Sequence, residues 1–336
     1  MSKKGKIVVL GATGNLGAYS AMEFINHGYD VVAVGKRKSD NGFFDKYGAE
    51  YVSMDICNID EYIKLPQENV YAVVHFAGEL PSRYEYNPRE LINTITIGTL
   101  NVLEYMRTVK CKKIIFPQTP FDKIQYHNTK IPIPADGERC FPLKGDHSIY
   151  TIAKNAAVDL IEHFHAEYGI YRFILRFFTI YQYHPNAYHY INYEKRKMPY
   201  RTLIDKAING EDIEIWGDPK RAKEIVYIKD FSKLVRLCVE SEREGGIYNV
   251  GNGWQVTLEE QIKGIVEVFS PENKKSEIKY CPEKENSLEA CFDISKTRKE
   301  LNFSPSFSYF DQLKDMKREM ENEPFALLWG TKEDYK

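Results

Sequence analysis

Residues 6–25 read KIVVLGATGNLGAYSAMEFI. The opening run, Lys6–Leu10, is apolar without alternation, which suits a strand covered on both faces, and 16–27 has the periodicity of an amphipathic helix. Between them Gly11, Gly14 and Gly17 stand three apart. Gly11 permits a tight turn, Gly14 lets backbone approach a pyrophosphate, and Gly17 lets the helix close on the strand. The free N–H groups and partial positive charge of the helix start complete an anion-binding terminus. A strand before and a helix after are the context in which such a triplet binds a dinucleotide.

Working outward, apolar runs at 30–34, 51–53, 71–76, 113–117 and 172–177 alternate with helical stretches at 91–108 and 150–168. That rhythm predicts an α/β fold built on a doubly wound parallel sheet. After Tyr181 the pattern changes. A Tyr-rich stretch (181–200) is followed by short strands at 213–216, 224–228 and 247–250, and by helices near 257–269 and 308–321. The expected organisation is a dinucleotide-binding domain over 1–180, its sheet completed by part of 220–255. A smaller C-terminal, mainly substrate-binding domain over 181–336 packs against it, because no linker or repeat separates the two.

Charge narrows the function classes. Lys+Arg 46 against Asp+Glu 48 leaves a net −2, without the cation surplus that drives nucleic-acid binding. No apolar run approaches the ~20 residues of a membrane span, and the opening MSKKGKIVVLGATG lacks the long apolar region of a signal peptide. Six cysteines at 57, 111, 140, 238, 281 and 291 contain no Cys-x-x-Cys. They read as reduced thiols of a cytoplasmic protein, with neither a metal site nor a disulfide framework expected.

The second strand runs into Gly35, Lys36, Arg37 and Lys38. The carboxylate that grips an adenosine ribose in many such folds is missing there, and cations suit a 2′-phosphate. The cofactor expected is therefore NADP, with NAD as the alternative through Asp40 or a backbone contact. Asp55, after the third strand, is placed to contact the adenine or to cap its own turn. Further on, Tyr150 and Lys154 share one helix face. A phenol titrates near ~10, and an adjacent ammonium stabilises its phenolate so that it can exchange a proton with a sugar oxygen. Thr119 follows KKIIFPQ at the carboxyl end of a strand, where its hydroxyl can bond the same oxygen.

This order of motifs resembles the extended short-chain dehydrogenase/reductases, the nucleotide-sugar epimerase/dehydratase family, over nearly the whole chain. Gly11-Ala-Thr-Gly14-Asn-Leu-Gly17 resembles its cofactor loop, Val74-His75-Phe76-Ala77-Gly78 the segment beneath the nicotinamide, and Gly98-Thr99-Leu-Asn-Val-Leu103 an interface helix. Thr119, Tyr150 and Lys154 match the catalytic triad, and Leu175-Arg176-Phe177-Phe178 leads toward the substrate loop. Val226-Tyr227-Ile-Lys-Asp230, Tyr248-Asn249-Val250-Gly251 and Asp293-Ile-Ser295-Lys296 resemble its later motifs. The resemblance implies a Rossmann fold. It implies cofactor contacts from Gly11, Thr13, Gly14, Asn15, Leu16, Gly17, Lys36, Arg37, Asp55, Ile56, Phe76, Ala77 and Gly78, with Tyr150 and Lys154. It implies substrate contacts from Thr179, His184, Lys223 and Tyr227.

The sequence departs from the family pattern at Ile95 and Thr179, where Asn is usual, at Tyr181-Gln182-Tyr183, and at Lys223, which replaces a pyrophosphate-binding Arg with Arg221 nearby. Pro120 and Phe121 after Thr119 cannot transfer protons, which disfavours a 4,6-dehydration. The implied activity is NAD(P)-dependent oxidoreduction at a sugar carbon of a nucleotide sugar, of the epimerase or 4-ketoreductase type. The alternative is a non-catalytic dinucleotide-sensing protein, which needs none of Thr119, Tyr150 and Lys154. The helices at 91–108 and 150–168 match the elements that form a homodimer interface in relatives.

Overall fold

The computed structural model describes residues 5–81, 85–145, 147–191 and 193–335. The first half alternates as expected: β1 (Lys6–Leu10), α1 (Asn15–Asn26), β2 (Asp30–Gly35), β3 (Glu50–Ser53), β4 (Val70–His75), α2 (Pro88–Leu91), α3 (Gly98–Thr108), β5 (Lys113–Gln118), α4 (Ser148–Tyr168) and β6 (Tyr171–Arg176). The second half carries β7 (Ile180–Tyr181), the hairpin β8 (Tyr188–Ile191) and β9 (Glu194–Lys197), α5 (Pro199–Asn209) and β10 (Ile213–Trp216). There follow β11 (Ala222–Lys223), β12 (Val226–Tyr227), α6 (Ile228–Glu240), β13 (Gly245–Asn249), β14 (Val256–Thr257), α7 (Leu258–Phe269), β15 (Ile278–Cys281), α8 (Ser295–Leu301), α9 (Tyr309–Asn322) and α10 (Ala326–Trp329).

Seven parallel strands form the central sheet in the order β13-β6-β5-β4-β1-β2-β3. Its strands are apolar throughout because helices cover both faces. Ile7, Val9, Ala33 and Val74 pack with Phe24 of α1 and Phe231, Leu234 and Val235 of α6. Val8, Leu10, Val32 and Val73 pack on the other side with Val102 and Leu103 of α3 and Ala153, Ala157 and Ile161 of α4. Strand order reverses between β1 and β4, so a crevice opens beyond their carboxyl ends, the place where ligands bind in such sheets.

Two local features differ from the sequence reading. The strand expected over 224–228 is split: β12 covers two residues, and α6 begins at Ile228 with Asp230 in its first turn. The apolar positions 228, 231, 234, 235, 238 and 239 are all buried, a helical spacing. The helix expected over 91–108 contains a π-helical stretch, Ile92–Ile97, between α2 and α3. Its sequence INTITI is rich in β-branched residues, which crowd a regular α-turn. Pro117 lies inside a sheet strand, as expected from the run over 113–117. The ladder from β5 to β4 ends at Ile115, so the missing N–H removes no bond to β4. Among the described residues no helix is long and apolar enough to cross a membrane.

Candidate active site

Backbone crowds the glycine turn at Gly11 and Gly17. Gly11 has φ +82°, and a Cβ there would stand 2.7 Å from the Ala77 nitrogen. A Cβ at Gly17 would stand 2.1 Å from the Gly11 carbonyl. Gly14 caps α1 without a side-chain bond and no acidic residue follows in the first turn, which contains Asn15 and Leu16, so the helix start keeps its anion-binding character. A cleft of about 410 Å³ opens here, lined by Gly11, Thr13, Gly14, Lys36, Arg37, Asp55, Ile56, Phe76, Ala77 and Gly78, with Glu90 and Thr94 entering from α2 and the π-helical stretch. A glycine cradle leading to an uncapped helix start fits the pyrophosphate of a dinucleotide.

The rim beyond β2 carries the expected cations. A Cβ on Gly35 would meet the Thr13 side chain at 2.8 Å and the Tyr51 hydroxyl at 2.9 Å, so a side chain at that strand end requires these two to shift. Lys36 Nζ pairs with Asp55 at 2.9 Å. Arg37 Nη1 donates to the Leu328 carbonyl at 2.8 Å. Asp40 does not turn toward the cleft. It is buried, and its oxygens accept from the Gly42 and Phe44 amides at 3.1 and 2.7 Å.

At the carboxyl end of β5, Thr119 is buried, and its hydroxyl oxygen accepts from the Phe121 amide at 3.3 Å. Lys154 of α4 reaches the same strand. Its Nζ donates to the Pro117 carbonyl at 3.0 Å and lies 4.5 Å over the Phe116 ring and 5.8 Å from the centre of the Tyr150 ring. Burial pushes the lysine amine down to about 7 and raises the Tyr150 phenol. Desolvation is the cause in both cases, and it opposes the stabilised phenolate expected from the spacing.

The sequence profile of the NAD dependent epimerase/dehydratase family matches residues 7–251. The chain belongs to that family. A relative, the UDP-glucuronate 4-epimerase of Thermodesulfobacterium geofontis, is 26% identical over 302 residues, 88% of this chain and 86% of the relative. Two solved structures share the fold. The UDP-glucose 4-epimerase of Thermotoga maritima, with UDP-glucose, has a TM-score of 0.74 and 23% identity, covering 95% of this chain and 99% of that one. A UDP-glucuronic acid 4-epimerase of Bacillus cereus, a mutant in complex with NAD and a fluorinated UDP-sugar, has a TM-score of 0.73 and 21% identity, covering 95% and 99%.

In this member of the epimerase/dehydratase family the residues expected on the substrate side are dispersed. Thr179 is exposed. His184 accepts from the Asn186 amide at 3.0 Å and packs 4.4 Å from Trp329, and burial lowers it to about 4. Lys223 lies 5.7 Å over the Tyr181 ring. Tyr227 is a correction: its side chain is fully buried, its ring packs 5.0 Å from Phe307, and its hydroxyl donates to Asp315 at 2.6 Å, which leaves no face for a substrate.

Gln118, Asn155 and Asp122 escaped the sequence reading, and His75, Thr99 and Arg176 entered it only as members of motifs. Gln118 accepts from the Thr119 amide at 2.8 Å and donates to Asn155 at 2.9 Å, which ties the strand end to α4 one residue beyond Lys154. The Thr99 hydroxyl donates to the Ile95 carbonyl at 2.5 Å, so the His75 Nε2–H must donate to Thr99, 3.1 Å away. His75 is thus neutral beneath the site, and burial lowers it to about 3. Arg176 and Asp122 form a doubly bonded pair at 2.9 and 2.8 Å behind Thr119. These partners meet only across elements, so no local sequence signal announces them.

Proposed function

We propose that this protein catalyses NAD(P)-dependent oxidoreduction at a carbinol carbon of a nucleotide sugar, of the epimerase or 4-ketoreductase type. The observation that carries the reading is that Lys154, one helical turn from Tyr150, bonds the carboxyl end of β5 just before Thr119, in a chain whose glycine cradle opens at the neighbouring switch point. The bound dinucleotide accepts or donates the hydride. Tyr150 passes the proton of the sugar hydroxyl, and Lys154, when it carries its proton, stabilises the phenolate. The oxygen of Thr119 is taken by the Phe121 amide, which leaves its hydroxyl proton to orient the same sugar oxygen.

Lys223 is the residue proposed for the diphosphate. Arg221 is held by the Ser287 carbonyl at 2.7 Å, Asn128 at 2.7 Å and Glu289 at 3.9 Å. Lys223, in contrast, meets an aromatic face and no carboxylate among the described residues. Thr179 and His184 complete the proposed substrate side. The cofactor choice favours NADP on the cationic rim and the crowded position at Gly35. The proposal includes a cytoplasmic setting and a homodimer through α3 and α4, supported by Ile97, 42% exposed at the head of α3.

A panel of nucleotide sugars with stoichiometric NADPH tests the reading. Loss of the reduced-nicotinamide absorbance with an alcohol product identifies a reductase, and a stereoisomer with no net change in cofactor identifies an epimerase. A 4-keto-6-deoxy product would refute it, since Pro120 and Phe121 supply no acid or base to expel water.

A further inference from the structure

The segment after α9 is seated on the cofactor rim. Trp329 is 4% exposed, and its Nε1 donates to the Thr13 carbonyl inside the glycine loop at 3.0 Å. Phe325 stacks on Trp329 at 4.4 Å and packs against Tyr19 of α1 at 4.6 Å, which anchors the segment to the helix that carries the loop. Two carbonyls of α10 then face the loop after β2. Leu327 accepts from Asn41 Nδ2 at 3.0 Å, and Leu328 accepts from Arg37 Nη1 at 2.8 Å.

The two rim cations are therefore held differently. Lys36 is neutralised by Asp55, which also stops that carboxylate from repelling an anion in the cleft. Arg37 meets a neutral carbonyl and no carboxylate among the described residues, so its full charge is retained. One of its five N–H groups is used and the rest of the fork is left for a ligand. A guanidinium already pinned beside the cleft loses less side-chain freedom when it meets a phosphate than a free surface arginine does.

We propose that α10 builds the 2′-phosphate subsite, with the Leu328 carbonyl and Trp329 as positioning groups for Arg37, so that preference for NADP over NAD is set by this segment as well as by the loop after β2. The proposal rests on the dinucleotide reading above. Calorimetric titration of the full chain with NADPH and NADH tests it, repeated for Arg37→Ala, Trp329→Ala and the double variant. The full chain favours NADPH. Arg37→Ala weakens NADPH by about tenfold or more, the scale of one charge-assisted phosphate contact, and NADH by less than about threefold. Trp329→Ala shifts the same ratio in the same direction, and the double variant is no worse than Arg37→Ala, because Trp329 acts through Arg37.

Equal losses for both cofactors in Trp329→Ala, or losses that add to those of Arg37→Ala, would overturn the proposal, since they mark a merely structural role. An unchanged ratio in Arg37→Ala would do the same. If Trp329→Ala does not fold, Trp329→Phe keeps the stacking, removes only the donor to Thr13 and is read by the same ratio. Binding of neither dinucleotide by the folded full chain would overturn the family-based function as well, which separates the two failures.

Discussion

Tyr150 and Lys154 are placed by a four-residue spacing, but their charge states come from what surrounds them. Tyr150→Phe is expected to lose at least about a hundredfold in turnover while cofactor affinity is kept, because only the proton relay is deleted. Near-normal turnover would remove Tyr150 from the assigned role. Lys154 makes a second, independent prediction. Its pKa falls from 10.5 to about 7 on folding, through burial. Below the lower value both states carry the proton, and burying the charge costs its full amount. Between the two values the unfolded chain binds more protons, so stability rises with pH. Lys154→Met removes the buried charge. The cofactor-free variant is expected to melt above the parent at about pH 6, with the gap closing toward about pH 10, although activity is lost. A constant gap would show that the lysine is not desolvated as the structure places it.

At the scale of elements, the site depends on how β5 and β6 end. Asp122 lies just past β5, Arg176 closes β6, and the pair is 0% and 1% exposed. The remaining Arg176 donors reach the Ala135 carbonyl at 2.8 Å and Asn249 at the end of β13 at 3.1 Å, so one side chain fixes three segments behind Thr119. Asp122→Ala leaves that guanidinium buried and unpaired and is expected to cost about 3–5 kcal/mol, measured by denaturant unfolding. A cost below about 1 kcal/mol, the range of an exposed pair, would contradict this role. The elements themselves were unequally legible. The strands β1 to β6 and the helices α1 and α4 announce themselves as apolar runs and periodic stretches bounded by glycine or polar residues. α6 did not, because Val226–Ile228 continues as an apolar run straight into the helix and hides the change of period at Tyr227.

At the scale of the molecule, the two halves share one sheet. β13 pairs with β6 from Gly245↔Arg172 to Asn249↔Arg176, and α6 covers the face built by β1, β4 and β5. A fragment ending at residue 180 would bare that face and leave β6 as an unpaired edge. It is expected to be insoluble or to lack a cooperative melt, whereas the full chain unfolds in one transition. A cooperative melt of the fragment would establish residues 1–180 as an independent domain. By itself the sequence determined the doubly wound class, the glycine cradle and the Tyr-x-x-x-Lys and Thr positions, because each is a local pattern: a period, a turn that only glycine can make, a spacing on one helix. The tertiary structure alone decided that Tyr227 is buried against Asp315, that Asp40 caps its own turn, and that α10 returns to Arg37 across 291 residues of chain and to Thr13 across 316. Those outcomes depend on which surfaces meet when the core closes, and burial and long-range hydrogen bonds leave no period in the sequence to read.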